Sequence, residues 1–263
     1  MKTAKDFLEA AGRYNNSPDM LMSVYHISSQ DRFDALIVAP AWTPQKVLAE
    51  KAAKIEVVRE TAGYVSYIVE YDGLRLAWLR CGISSSNVID AMLAAAASCV
   101  DRVIFLGAVG ALKENIEIGE LCTPLESYAY DGASLYLYEK LDPKNFGRIV
   151  RPGCGDYIRK VIDSAAKIGI KITRRPTFCT DSIICEYAHL DEIKATGAEL
   201  IEMETAAFYK CLDMMGKKGV ALMSVSDNSA SGVPLVARTP EQKAKMNRCR
   251  TVEIPEVIKI ACH

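Results

Sequence analysis

Two hydrophobic rhythms share this chain. Compact apolar runs bounded by turn residues fall at residues 34–39, 102–106, 172–179 and 220–225, and runs this short, rich in Val, Ile and Leu, read as buried strands. Residues 64–71 and 74–80 form two further apolar segments on either side of Asp72-Gly73. That dipeptide is a strong hairpin signal, because it tolerates the positive φ that a two-residue turn requires. A further strand follows the turn at residues 116–119, and Asp131-Gly132-Ala133-Ser134 marks another turn.

Between the strands the period lengthens. Thr43-Pro44 opens a helix expected to run to about Lys54, with Thr43 as N-cap and proline at the first helical position, where its missing N–H is harmless. An alanine-rich helix to about Ser98 follows the loop at residues 81–87. Residues 156–168 place Ile158, Val161, Ile162 and Ala165 on one face. Another helix opens at Thr205, and Thr239-Pro240 caps a C-terminal helix kinked or broken at Pro255. Residues 1–33 read as an N-terminal lead-in, with a short helix at 3–11, turn chemistry at 15–19 and an apolar stretch at 21–27 containing Tyr25 and His26. From residue 34 to 263 strands and helices alternate without a linker that would divide them. The pattern predicts a single three-layer α/β/α domain around a mixed β-sheet, since the hairpin argues against a purely parallel one.

Composition narrows the classes. Half of the 263 residues are hydrophobic and a quarter charged, enough for a sizeable core. The 32 basic and 33 acidic residues leave a formal net charge of -1, so bulk electrostatics predicts no nucleic acid and no membrane as partner. The longest apolar runs fall well short of the roughly 18 residues a spanning helix needs, and the protein is expected to be soluble. Nine cysteines are scattered with no C-x-x-C pair and no histidine at metal-ligand spacing. With no signal-peptide layout, they predict reduced, buried thiols in a cytoplasmic protein that holds no metal.

The candidate chemistry gathers in two places. Glu202 and Glu204 flank Met203 just before the helix entry at Thr205, a position from which carboxylates can accept hydrogen bonds from the vicinal hydroxyls of a sugar. The run at 220–225 ends in Ser226-Asp227-Asn228, placing a carboxylate at a strand's C-terminal end, where open α/β sheets bind ligands. Each piece also has a bland reading, the acidic pair as favourable charge at a helix N-terminus and Ser-Asp as a turn or cap. Two loops add to them. Ser84, Ser85 and Ser86 lie where a Gly/Ser loop enters a helix, a natural anion or hydroxyl site. The small residues from Gly107 through Gly110 to Ala111 would let backbone approach a ligand.

Ile201-Glu202-Met203-Glu204-Thr205-Ala206-Ala207, Gly107-Ala108-Val109-Gly110-Ala111 followed by Ile118-Gly119-Glu120, and Asp131-Gly132-Ala133-Ser134 together give the chain its resemblance to the nucleoside phosphorylase and nucleosidase superfamily. The similarity runs from about Tyr25 to the C-terminal helix. It implies that residues 34–263 are a catalytic domain acting on a small-molecule nucleoside, with no cofactor beyond phosphate as co-substrate if the reaction is phosphorolysis. Glu204 matches the carboxylate that binds the ribose hydroxyls, Met203 the residue packed on the sugar, and Glu202 the acidic residue leading the motif. Ser226-Asp227 resembles the purine branch, in which the aspartate protonates the departing base at N7. Tyr25-His26-Ile27 resembles the segment whose histidine reaches the sugar 5′-hydroxyl of a neighbouring subunit. The implied protein is a homo-oligomer, dimer or hexamer, with a shared active site.

The departures bear on the reaction. Where hexameric phosphorylases hold phosphate with a glycine, two arginines and a hydroxyl, the matched positions here are Ala41, Gln45, Phe105 and Ala108. Such a loss removes charge-assisted bonds worth about 1.5–3 kcal/mol each. Gln45 also falls near the glutamate that activates water in the adenosine-type nucleosidases, and a glutamine is no base. Ile183 and Ile184 stand where an aromatic usually stacks on the base, with Ile183 able to pack on it. Three readings follow: an N-ribosyl hydrolase, a purine or uridine phosphorylase with a phosphate site rebuilt from Lys46 and Ser84 to Ser86, and a non-catalytic nucleoside-binding protein.

Overall fold

A computed structural model describes residues 2–15 and 17–263; Asn16, within the turn expected at 15–19, lies outside the described residues. Among those residues ten strands form one mixed sheet. They are β1 (Ala35–Ala39), β2 (Lys54–Glu60), β3 (Val65–Tyr71), β4 (Leu74–Arg80), β5 (Arg102–Ala111), β6 (Leu121–Ala129), β7 (Arg148–Val150), β8 (Ile172–Cys179), β9 (Leu200–Glu202) and β10 (Lys218–Asn228). The helices are α1 (Ala4–Asn15), α2 (Met20–Tyr25), α3 (Pro44–Leu48), α4 (Ser85–Ala94), α5 (Gly155–Lys167), α6 (Ile183–Glu186), α7 (Leu190–Ala195), α8 (Thr205–Met215), α9 (Pro240–Arg248) and α10 (Ile254–Ala261). Helices α4 and α8 pack together with α1 and α2 against them, while α5 and α10 form a second group with α3. Leu21, Tyr25 and Ile27 from the N-terminal segment enter the same apolar core as the sheet.

The sheet ends in an open edge strand, β2, at one side and closes on itself at the other. Strands β2, β3, β4 and β1 lead to β5, and β5, β9, β8, β6 and β10 then close on themselves because β10 pairs with both β6 and β5. This closure makes the functional opening. Strand β1 runs parallel to β5 and pairs with it from Val103 to Phe105, whereas β9 runs antiparallel and pairs only with Gly110 and Ala111. The C-terminal ends of β1 and β9 therefore point toward each other along one edge of β5, with residues 106–109 paired to neither. A gap at which strand order changes is where α/β sheets place ligands.

Several elements depart from the sequence expectations. The helix opened by Thr43-Pro44 stops at Leu48, because Ala49 adopts a positive φ of 49° and the chain turns out into β2. Strand β2 is an edge strand held by antiparallel pairing with β3, and that pairing overrides the helical preference of its alanine- and lysine-rich entry. At the C-terminus a π-helical turn, Cys249–Glu253, carries α9 into α10, and Pro255 sits in the first turn of α10, where it needs no N–H. The cysteines are free thiols, but Cys99 and Cys185 are exposed rather than buried.

Candidate active site

The gap beside β5 opens into a cavity of ≈ 240 Å³. One wall is Pro40, Ala41 and Trp42 after β1, with Ile83 after β4; its floor is the backbone of β5 from Gly107 to Gly110. Met203 and Glu204 after β9, Ser226 and Asp227 on β10, and Thr180, Ile183, Glu186 and Tyr187 around α6 complete it. Elements distant in sequence thus bring Gly110, Ile183, Glu202, Met203, Glu204, Ser226 and Asp227 to one cavity.

The two glutamates of the central motif do different things. Glu202 is consumed by the protein: one oxygen accepts from the amides of Glu204 (2.7 Å) and Thr205 (2.8 Å), the other from the Thr205 hydroxyl (2.8 Å) and the Cys179 thiol (2.6 Å). It ties off the N-terminus of α8 and touches the cavity only as part of its wall. Glu204, two residues on, has one oxygen accepting from the Ser84 amide at 2.9 Å and the other without a donor among the described residues. Ser84 pays for that contact with an uncommon backbone, φ 136°, a strain of about 1–3 kcal/mol. Burial, and then the nearby charge of Glu202, push the Glu204 carboxyl above its usual range.

A bulge aims Asp227. Along β10 the register with β5 holds through Val225 and Val109, then skips Ser226 so that Asp227 faces Gly110. Such an extra residue turns the following side chain off the strand's alternation. The Ser226 hydroxyl donates to Asp227 Oδ1 at 2.5 Å, fixing the carboxyl's orientation. Gly110 gives it room, since a Cβ there would stand 3.0 Å from both Asp227 Oδ2 and Ile201 Cγ2 and would press on the carboxyl. Burial raises the Asp227 pKa against the Ser226 hydrogen bond and the positive charge of Arg238.

Other expected site residues lie elsewhere. Gln45 and Lys46 are exposed on α3, and neither lines the cavity. Ser85 donates to the Met203 carbonyl at 2.7 Å, and the Ser84 and Ser86 hydroxyls bond each other at 2.9 Å. These serines frame the loop and hold Met203 in place; they do not line the cavity. His26 is exposed at the C-terminus of α2 and stands outside its own subunit's cavity. Phe105, matched to a phosphate arginine, is buried against Phe208 with ring centroids 5.4 Å apart.

Sequence reasoning missed Glu186, Tyr187 and Arg238. Glu186 and Tyr187 follow Ile183 by three and four residues, one helical face, and Tyr187 brings to the cavity an aromatic ring that Ile183 and Ile184 do not supply. That periodicity was the available signal. Arg238 reaches back to donate to the Ser226 carbonyl at 2.8 Å, a contact no local pattern announces.

A sequence profile described as the phosphorylase superfamily matches residues 35–254. The chain belongs to the phosphorylase superfamily. A DeoD-type purine nucleoside phosphorylase of Chromobacterium violaceum is 26% identical over 250 residues, covering 91% of this chain and 100% of its own. A uridine phosphorylase of Thermococcus kodakarensis is 23% identical over 225 residues, covering 78% and 77%. Among solved structures, the AMP nucleosidase of Bacteroides thetaiotaomicron superposes with a TM-score of 0.67 at 18% identity, covering 91% of this chain and 94% of that one. The purine nucleoside phosphorylase of Toxoplasma gondii in complex with immucillin-H gives 0.69 at 16% identity, covering 90% and 92%. The curated relatives carry phosphorylase names and the solved structures both phosphorylase and nucleosidase names, and the single mixed-sheet α/β domain is the fold that these structures share with this chain.

Proposed function

We propose that this protein cleaves the N-glycosidic bond of a purine nucleoside with water as the acceptor. The carrying observation is the charge of the cavity. Among the described residues that line it are Glu186, Glu202, Glu204 and Asp227, and no lysine, arginine or histidine. A phosphate dianion placed in such a wall would meet carboxyls and apolar groups with no cation to pair it, whereas an oxocarbenium-like sugar would be favoured by whichever carboxyls are ionised. Where a phosphate would need charged donors, the wall offers Ala41, Ile83 and Ala108 and the neutral indole of Trp42.

Roles follow from the geometry. The free oxygen of Glu204 accepts from the ribose hydroxyls while Met203 packs on the sugar. As the C1′–N9 bond breaks, its electron pair passes to the base, which takes a proton at N7 from the Asp227 carboxyl. Water then bonds to C1′, and the proton it sheds restores Asp227, so that nucleoside and water become ribose and free base. Because the sugar is already cationic when water arrives, a strong general base is not needed, which accommodates the loss of a glutamate at Gln45.

Phosphorolysis is the second reading, and two arginines favour it. The Arg250 guanidinium lies 5.9 Å from the ring centroid of Trp42, a cavity residue, and Arg238 holds the Ser226 carbonyl. Each has a buried Nε without a hydrogen-bond partner, and burial together with the charge of Arg238 lowers the Arg250 pKa. Product analysis separates the readings. Inosine, adenosine and uridine are incubated with and without phosphate: free ribose at a rate indifferent to phosphate is expected, whereas ribose 1-phosphate formed only with phosphate would overturn the hydrolytic reading. Binding without turnover under either condition would leave a nucleoside-binding protein.

A further inference from the structure

Glu186 is a buried carboxyl that the protein leaves without a partner. It ends α6, is 7% exposed, and lines the cavity on a wall different from that of Asp227. Among the described residues no donor or cation completes it. Asp227 on β10 carries like charge toward it, and Tyr187 follows it in the chain. Glu186 also borders a second cavity with Tyr130, Phe146 and Phe178, in which His189 is taken by Glu192 at 2.5 Å. The Thr180 hydroxyl points to the Ser182 carbonyl at 3.5 Å. Its oxygens stay open to the cavity rather than sealed inside the protein, and the donor this partly desolvated carboxyl lacks is one that a ligand in the cavity can supply.

We propose that Glu186 reads the base, its carboxylate accepting a hydrogen bond from a donor on the six-membered ring of a purine, an exocyclic amino group or a ring N–H, while Asp227 faces N7. The inference rests on the purine reading above and deepens it. Ile183 and Tyr187, on the same helical face, supply apolar and aromatic surface to either side of the carboxylate. The substrate class is then a purine nucleoside with a donor at position 1 or 6, distinguished from unsubstituted purine riboside, which offers none. Discrimination of this kind is strong because a buried acceptor left unpaired by the wrong base is itself costly.

Burial, and then the charge of Asp227, push the Glu186 pKa up to about 7. The carboxylate fraction therefore grows as pH rises through neutrality, and preference for a donor-bearing base grows with it. The test measures binding of adenine and of unsubstituted purine to the intact protein by calorimetry, at about pH 6 and about pH 8, alongside cleavage of adenosine and purine riboside. In the wild type the adenine-to-purine affinity ratio should rise with pH. In Glu186→Leu it should fall by about tenfold or more, and in both Glu186→Leu and the isosteric Glu186→Gln the pH dependence should vanish. An unchanged ratio and pH profile in both variants, or a wild type that binds neither base, overturns the proposal. A wild type that binds adenine in this Glu186-dependent way yet cleaves nothing would instead overturn the hydrolytic reading alone.

Discussion

At the scale of single residues, the cavity's chemistry turns on carboxyls kept protonated or charged by their surroundings. Asp227 is buried and tethered by Ser226, and burial raises its pKa. An acid works only while it holds its proton, so turnover should fall as pH climbs through that raised value. Asp227→Asn should lower kcat by about 10²- to 10⁴-fold and abolish this alkaline limb, while nucleoside binding persists; kcat and KM measured across pH check both, and unchanged purine turnover would remove Asp227 from the role of acid. Glu204 and Asp227 were legible as candidates in the sequence because each stands in a recognisable motif, Glu204 at the entry to α8 and Asp227 at the end of β10. Glu186 was not, because a glutamate between Cys185 and Tyr187 looks like any surface helix residue until β10 packs across from it.

At the scale of elements, the helix α8 is fastened to the sheet by one side chain. The four donors converging on Glu202 include the amides of Glu204 and Thr205, the first groups of α8 that lack intrahelical partners. The capping role is local to the protein, although the same residue heads the motif that resembles a sugar site. Glu202→Gln, which turns an acceptor-only group into one with two donors facing other donors, should cost about 2 kcal/mol of stability, read as a lower midpoint of chemical unfolding. A loss of nucleoside binding with stability intact would instead make Glu202 a ligand of the substrate. Elements built on local signals were readable: the hairpin of β3 and β4 follows from Asp72-Gly73, and β8 from its apolar run. Strands β2 and β9 were not, since their residues pair only because β3, β5 and β8 are already in place. The closure of β10 on β5 and β6 is likewise a long-range pairing, and it creates the gap that the motifs surround.

At the scale of the molecule, the position of His26 asks for a second subunit. Its neighbours Tyr25 and Ile27 are buried, the Tyr25 carbonyl accepts from the Ser66 hydroxyl at 2.5 Å, and His26 itself is held at a left-handed φ of 55°. A side chain anchored on both flanks and turned out to solvent in this way is presented by the fold, at a backbone cost of about 1–2 kcal/mol. His26 does not line the cavity of its own chain, while Ala41 and Ile83 offer no side-chain polar group to the 5′-end of a bound nucleoside. A neighbouring copy would bring His26 to that place, and each subunit would then own Asp227 in its own cavity and lend His26 to another. If so, a His26→Ala protein and an Asp227→Asn protein, each with little activity, should recover activity when mixed oligomers form, because some cavities then combine an intact Asp227 with an intact His26. In a dimer with two reciprocal sites, a mixed pair holds one wild-type cavity of two, so recovery should approach a quarter of the wild-type rate once a random mixture containing about half mixed dimers has formed. Native mass spectrometry, which separates the two variants by mass, would establish that mixed oligomers exist. With them present and no activity regained, His26 acts within its own chain or not at all, and the reason for its strained, outward placement would have to lie in the packing of α2.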